Sequence, residues 1–270
     1  MDKPILNKPL SKLGRFGRSF LKRYMYAQLS IWNGFLIAIG KEEPLIRFKI
    51  EKDPPSTYWV YRIKSSEIEG LAEKLGIPPQ FSLCPIQCLD TDEPAYLLTM
   101  NAYKVSGLAS GIRAEWSVFV RDESNKPRYM IVEAWSSKLS MDPISIFTKG
   151  SAVIHERDDR MIYTQVGEGK DSFISKICIL DVEEPVTLSA EWISANDYIY
   201  WMNGICDRSF YNAELAHAQQ LSIGKGNSII NDGTFWGQIV EPDPVHILIV
   251  DNVIELVISQ WENVDRAHTQ

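Results

Sequence analysis

Two stretches decide the fold: Gly111-Ile-Arg-Ala-Glu-Trp-Ser-Val-Phe-Val and, after Arg121-Asp-Glu-Ser-Asn-Lys-Pro, Arg128-Tyr-Met-Ile-Val-Glu-Ala-Trp-Ser-Ser-Lys-Leu139. Both are rich in β-branched and aromatic residues, and turn-forming residues lie between them, so they read as a β-hairpin. Arg113, Glu115 and Glu133 are charged within otherwise apolar strands. A charge in such a strand either faces water or lines a polar interior. If the hairpin is centred near Ser124, Glu115 and Glu133 lie opposite each other on one face, where two carboxylates could share acid–base work. A register shifted by one would put them on opposite faces. Lys138 follows the hairpin. It is a solvated strand-end lysine, an amine made nucleophilic by burial, or a cation for a substrate carboxylate.

Working outward, the pattern stays mostly β. Strands are expected at 45–50, 58–63, 95–105, 146–155, 161–166, 173–180, 186–193, 245–250 and 253–258, the last two pairing across Asp251-Asn252. Ser66 and Glu69 form a capping box that opens a short helix bearing Ile68, Leu71, Ala72 and Leu75, with Gly76 ending it and Pro78-Pro79 forbidding its continuation. A second helix is expected over 207–221, capped by Asp207, with Phe210, Leu215 and Ala218 inward. Many short strands and few helices point to an antiparallel barrel or sandwich.

The first forty residues differ from the rest. Lys3, Lys8, Lys12, Arg15, Arg18, Lys22 and Arg23 precede an uncharged run from Tyr24 to Gly40. The run lies at the lower length limit for a membrane span and lacks a good cleavage position for a secretory signal. The alternatives are an arm packed on its own domain or a second subunit, a basic helix on a membrane surface or partner through residues 8–40, and a true span or signal. The expected division is an extension over 1–41 and one domain over 42–270.

A net charge of −7 and a pI near 5.2 argue against nucleic-acid binding. Cys84, Cys88, Cys178 and Cys206 form no CxxC pair, and the four histidines are scattered. Neither a metal nor another cofactor is expected, and a reducing, cytoplasmic setting with buried thiols is. Gly224-Lys-Gly-Asn and Gly167-Glu-Gly-Lys read as turns, not phosphate loops.

In the order and spacing of its elements the chain resembles the acetoacetate decarboxylase-like superfamily over roughly residues 55–260. The points of likeness are Tyr58-Trp-Val-Tyr-Arg-Ile, the helix 68–75, Ile77-Pro-Pro, Asp92-Glu-Pro before a strand, Glu133-Ala-Trp-Ser-Ser-Lys-Leu and Asp243-Pro-Val. The resemblance implies a mainly β fold: a cone-shaped antiparallel barrel or double sheet with two short helices. It also implies an apolar cavity and Schiff-base chemistry on a keto acid. The family's decarboxylases use two adjacent lysines before a leucine, one forming the imine and the other helping to depress its pKa. Here the pair falls on Ser137-Lys138, so only one lysine remains. The carboxylate that the family carries on a longer loop has no counterpart between Tyr103 and Arg113.

Acetoacetate decarboxylation itself is therefore not expected. The expectation is a divergent biosynthetic enzyme acting on a small apolar carbonyl compound or keto acid by C–C cleavage, aldol-type condensation or cyclisation. Lys138, Glu115 and Glu133 would be catalytic, while Arg113, Trp116, Trp135 and Ser137 would bind substrate. The alternative is a non-catalytic protein of the same fold that binds a small hydrophobic ligand, associated with a membrane or not. A homo-oligomer is expected in either case.

Overall fold

The computed structural model describes residues 46–107, 110–137, 153–167, 173–178, 187–195, 197–202, 209–216, 221–223, 225–230, 233–250 and 253–263. The basic arm, the uncharged run after it and Lys138 lie outside them. The strands are β1 (Ile46–Ile50), β2 (Ser56–Arg62), β3 (Ser82–Leu83), β4 (Leu97–Gly107), β5 (Gly111–Arg121), β6 (Pro127–Ser136), β7 (Val153–Asp158), β8 (Met161–Val166), β9 (Phe173–Cys178), β10 (Asp197–Met202), β11 (Ser209–Ala216), β12 (Leu221–Ile223), β13 (Lys225–Ile230), β14 (His246–Val250) and β15 (Ile254–Asn263). Among the described residues three short α-helices interrupt them: α1 (Leu71–Lys74), α2 (Ala190–Ser194) and α3 (Phe235–Ile239).

The strands form a large sheet and a four-stranded one, ordered β13-β9-β8-β7. In the large sheet β4 pairs with β5 on one edge, and on the other with β2 and then β1. From β1 the pairings run through β15, β11, β10, β6 and β5 and so return to β4. The sheet therefore curls on itself, and all its pairings are antiparallel except β6 with β10. One face packs on the small sheet. Trp59, Met100, Trp116 and Val118 meet Val153, Ile162, Phe173 and Ile177 there, with Trp236 and Ile239 of α3. Such two-layer packing removes apolar side chains of both sheets from water. The opposite face is closed off too: Thr99, Asn101, Glu115 and Ser117 are all buried.

The β5–β6 hairpin forms as its sequence predicts. Asp122 Oδ1 accepts from the N–H groups of Ser124 (3.0 Å) and Lys126 (2.9 Å), and Asn125 takes the left-handed conformation, φ 62°. Arg128 Nε lies 3.0 Å from Asp122 Oδ2 across the strand mouth.

Elsewhere tertiary context overrides local pattern. Of the helix expected over 207–221, residues 209–216 are instead β11, because ladders with β10 and β15 satisfy both of its edges. The strand expected over 186–193 is replaced by α2, where Ser189 accepts from Trp192 N at 3.0 Å as an N-cap. The helix expected from Ser66 breaks into a 3-10 turn (Ser65–Glu67) and α1, separated by Gly70 at φ 72°. No side chain caps that turn. β14 and β15 do not pair with each other across Asp251-Asn252. β14 lies between β12 and β2, and β15 between β1 and β11. β10, β13 and α3 had no counterpart in the sequence reading. Among the described residues no helix is long and apolar enough to cross a membrane.

Candidate functional site

Opposed residues of adjacent strands share a face, so the register sorts the candidates. One row across the large sheet runs Tyr103, Arg113, Ser136; the next runs Tyr58, Asn101, Glu115, Ala134; a third contains Thr99 and Ser117. This is the face turned away from the small sheet, and it is polar. Arg113 Nε donates to Glu115 Oε1 at 2.5 Å and Nη1 to Ser136 Oγ at 3.2 Å. Both charges are withdrawn from water: Arg113 is 7% exposed and Glu115 0%. Burial, then the negative charge of Glu115, pushes the Tyr103 phenol well above its ordinary pKa, so it remains a proton donor. Burial does the same to Tyr129, whose hydroxyl is hydrogen-bonded to Thr99 Oγ1.

The other face carries Trp116 directly opposite Glu133. Trp135 Nε1 donates to Glu133 Oε1 at 3.1 Å. Trp116 stacks on Trp236 (centroids 5.3 Å apart) and meets Phe173 edge-on, while Phe173 meets Trp59 at 4.9 Å. Glu133 is thus a buried carboxylate among aromatic rings.

The candidates therefore divide into two groups back to back. Near the turn, Ser117 pairs with Ile131 and Phe119 with Tyr129, as a centre at Ser124 requires. A bulge then places Val132 as an extra residue on β6, and beyond it Glu115 faces Ala134. Of the two registers that the sequence allowed, the shifted one holds on this half of the hairpin. Glu115 and Glu133 are not neighbours. Arg113 joins Glu115 and Ser136; Trp116 and Trp135 join Glu133.

Ser137 follows β6, accepting from Ile112 N at 2.9 Å through Oγ and donating its own N–H to Ile112 O at 2.8 Å. Lys138 comes next in the chain, outside the described residues. Tyr58, Thr99, Asn101, Tyr103 and Tyr129 are not among the residues that the sequence singles out for the site. Their signal is the alternation of polar residues in β4 (Thr99, Asn101, Tyr103) in step with β5 (Arg113, Glu115, Ser117). Among the described residues, the group of side chains close enough to hold a cation is Cys88, Asp92 and His246; His246 stands in the sheet row of Val60, Thr99 and Ser117.

No protein-family model matches the sequence, and neither does any curated protein. Solved structures do match it in shape. The enduracididine biosynthesis enzyme MppR complexed with pyruvate aligns with 82% of this chain and 90% of its own, at 9% identity and a TM-score of 0.56. MppR with the condensation product of pyruvate and imidazole 4-carboxaldehyde aligns with 82% of this chain and 89% of its own, at 8% identity and a TM-score of 0.55. The likeness is one of fold. An acetoacetate decarboxylase-like enzyme from Sphingomonas wittichii RW1 aligns with 80% of this chain and 91% of its own, at 8% identity and a TM-score of 0.49. The mainly antiparallel, β-rich fold expected from the order of the sequence elements is the fold of this chain, and MppR shares it.

Proposed function

We propose that the protein is a divergent acetoacetate decarboxylase-like enzyme that joins or cleaves C–C bonds in a small keto acid or related carbonyl compound, through an imine on Lys138. The observation that carries this reading is the buried Arg113–Glu115 pair with Tyr103, beside Ser136 at the end of the strand that leads into Ser137-Lys138. Withdrawing charges from water costs several kcal/mol per ion by order of magnitude, about what a buried pair must recover by its mutual contact. Such a pair is weak evidence for stability and better evidence for chemistry. The likeness in fold to an enzyme solved with pyruvate supports the substrate class.

In this reading the Lys138 amine adds to a ketone carbonyl and water leaves, giving a protonated imine. The imine draws electrons from the adjacent carbon, and Glu115 takes the proton released there. The resulting enamine attacks an aldehyde carbon, whose oxygen takes a proton from the Tyr103 phenol. Water then hydrolyses the imine and restores the amine, and the proton on Glu115 passes to the Tyr103 phenolate, to which it is hydrogen-bonded. Arg113 holds Glu115 in place. Glu133 and Trp135, on the other face, take no part in these proton transfers.

Ser137 stands where the family's decarboxylases have a lysine, which favours a second reading: binding of the same ligands without covalent chemistry. Borohydride reduction in the presence of pyruvate and a panel of other keto acids, read by peptide mass spectrometry, separates the two. A reduced adduct on Lys138, lost in Lys138→Gln, is expected. Ligand-induced thermal stabilisation with no adduct across the panel would leave the binding protein and overturn the enzyme.

A further inference from the structure

We infer that Cys88, Asp92 and His246 form a binding site for a zinc-type divalent cation, independent of the chemistry at β5 and β6. The Cys88 thiol, an Asp92 carboxylate oxygen and a ring nitrogen of His246 all lie within 4.8 Å of one another. A tetrahedral Zn2+ sets its ligand atoms about 3.3–3.7 Å apart, given bonds of roughly 2.0–2.3 Å. The His246 Nε2–Asp92 Oδ2 contact, at 2.8 Å, is tighter than that spacing, and the other separations are within 4.8 Å. Small side-chain adjustments would close the set.

The donors come from two anchored pieces of backbone. Cys88 and Asp92 bracket a turn fixed by Asp92 N to Leu89 O (3.0 Å) and by Leu89 N to Asp92 Oδ2 (2.9 Å). The bridge Ile86–Ala95 closes that loop, and Ser189 N holds the Cys88 carbonyl at 3.0 Å. His246 opens β14, paired with Val60 of β2. Sulfur with imidazole and carboxylate selects a borderline-soft cation over Mg2+ or Ca2+, which prefer all-oxygen shells. Asp92 and His246 are partly exposed, leaving a side from which water could complete a fourth position.

A Cys–His–Asp nucleophile is the competing use of these residues, and the geometry disfavours it. Cys88 is 1% exposed, out of reach of a substrate.

Co2+ titration of the chelator-treated full-length protein tests the site. One Co2+ per chain should bind, giving the intense visible bands of tetrahedral cobalt and a thiolate-to-cobalt charge-transfer band. Cys88→Ser should abolish the charge-transfer band. Cys88→Ser and His246→Gln should each weaken Zn2+ binding by at least about tenfold. Cys84→Ser should change neither. Weak octahedral spectra, or unchanged spectra and affinity in both Cys88→Ser and His246→Gln, would overturn the assignment. Should Cys88→Ser fail to fold, His246→Gln decides it, because a histidine at a partly exposed strand end is the milder loss.

Discussion

A guanidinium and a carboxylate buried in contact hold each other in place, and removing either strands the other. Glu115 and Arg113 are in that position, 2.5 Å apart and withdrawn from water. Glu115→Gln and Arg113→Met are each expected to cost about 3–5 kcal/mol of stability. The double variant should cost clearly less than the sum, since it leaves neither charge uncompensated. Urea midpoints of the four proteins measure this, and strictly additive losses would show that the contact is not what holds the charges. These two residues were legible in the sequence because a charge in a strand of Val, Trp and Phe has few explanations. Tyr103 and Asn101, on the same face, were not, because a tyrosine or an asparagine in a strand reads as ordinary packing or an edge. Only the pairing of β4 with β5 brings them beside Glu115.

At the scale of elements, Gly70 shows how one backbone position divides a helix. Its φ of 72° ends the 3-10 turn and starts α1, so the apolar spacing of Ile68, Leu71, Ala72 and Leu75 does not produce one continuous helix. A Cβ there would meet nothing within 4 Å. Gly70→Ala should therefore cost about 1–2 kcal/mol, the left-handed penalty alone, with no loss from collision. A denaturation midpoint shows this, and an unchanged or raised midpoint would mean that the segment re-forms as the helix its sequence suggests. The β5–β6 bulge is a similar case. Strand, turn and partner were readable between Gly111 and Ser136, since the alternation and the Asp-Glu-Ser-Asn turn are local. Whether Val132 is paired or extra depends on what each face must bury, which is not local. Residues 209–216 failed for the same reason: their helical spacing is real, but two flanking strands supply a better set of backbone partners.

Across the whole molecule, the two sheets are tied by a histidine the sequence left unassigned. His155 lies on β7 of the small sheet, 1% exposed, with Nε2 at 3.0 Å from the carbonyl of Pro55 and Nδ1 at 2.8 Å from Thr164 Oγ1. A carbonyl can only accept, so Nε2 carries the proton; in the neutral ring Nδ1 then accepts from the Thr164 hydroxyl. Burial lowers its pKa to about 4, against an ordinary value near 6.5, with the Pro55 contact opposing the shift. The unfolded chain therefore binds a proton at this position that the folded chain refuses. The stability this group contributes is complete above pH 6.5 and declines as the pH falls from there to about 4, a loss of roughly 3 kcal/mol by linkage. Carboxylates elsewhere titrate over the lower part of the same range, so the wild type alone cannot isolate the effect. His155→Gln keeps a donor and an acceptor but has no ionisation. Urea midpoints at pH 7 and pH 4.5 should show it less stable than wild type at pH 7, with the gap narrowing or reversing at pH 4.5. If both proteins lose stability equally between those two pH values, the ring is not held neutral at the junction of the sheets, and acid must enter the fold elsewhere.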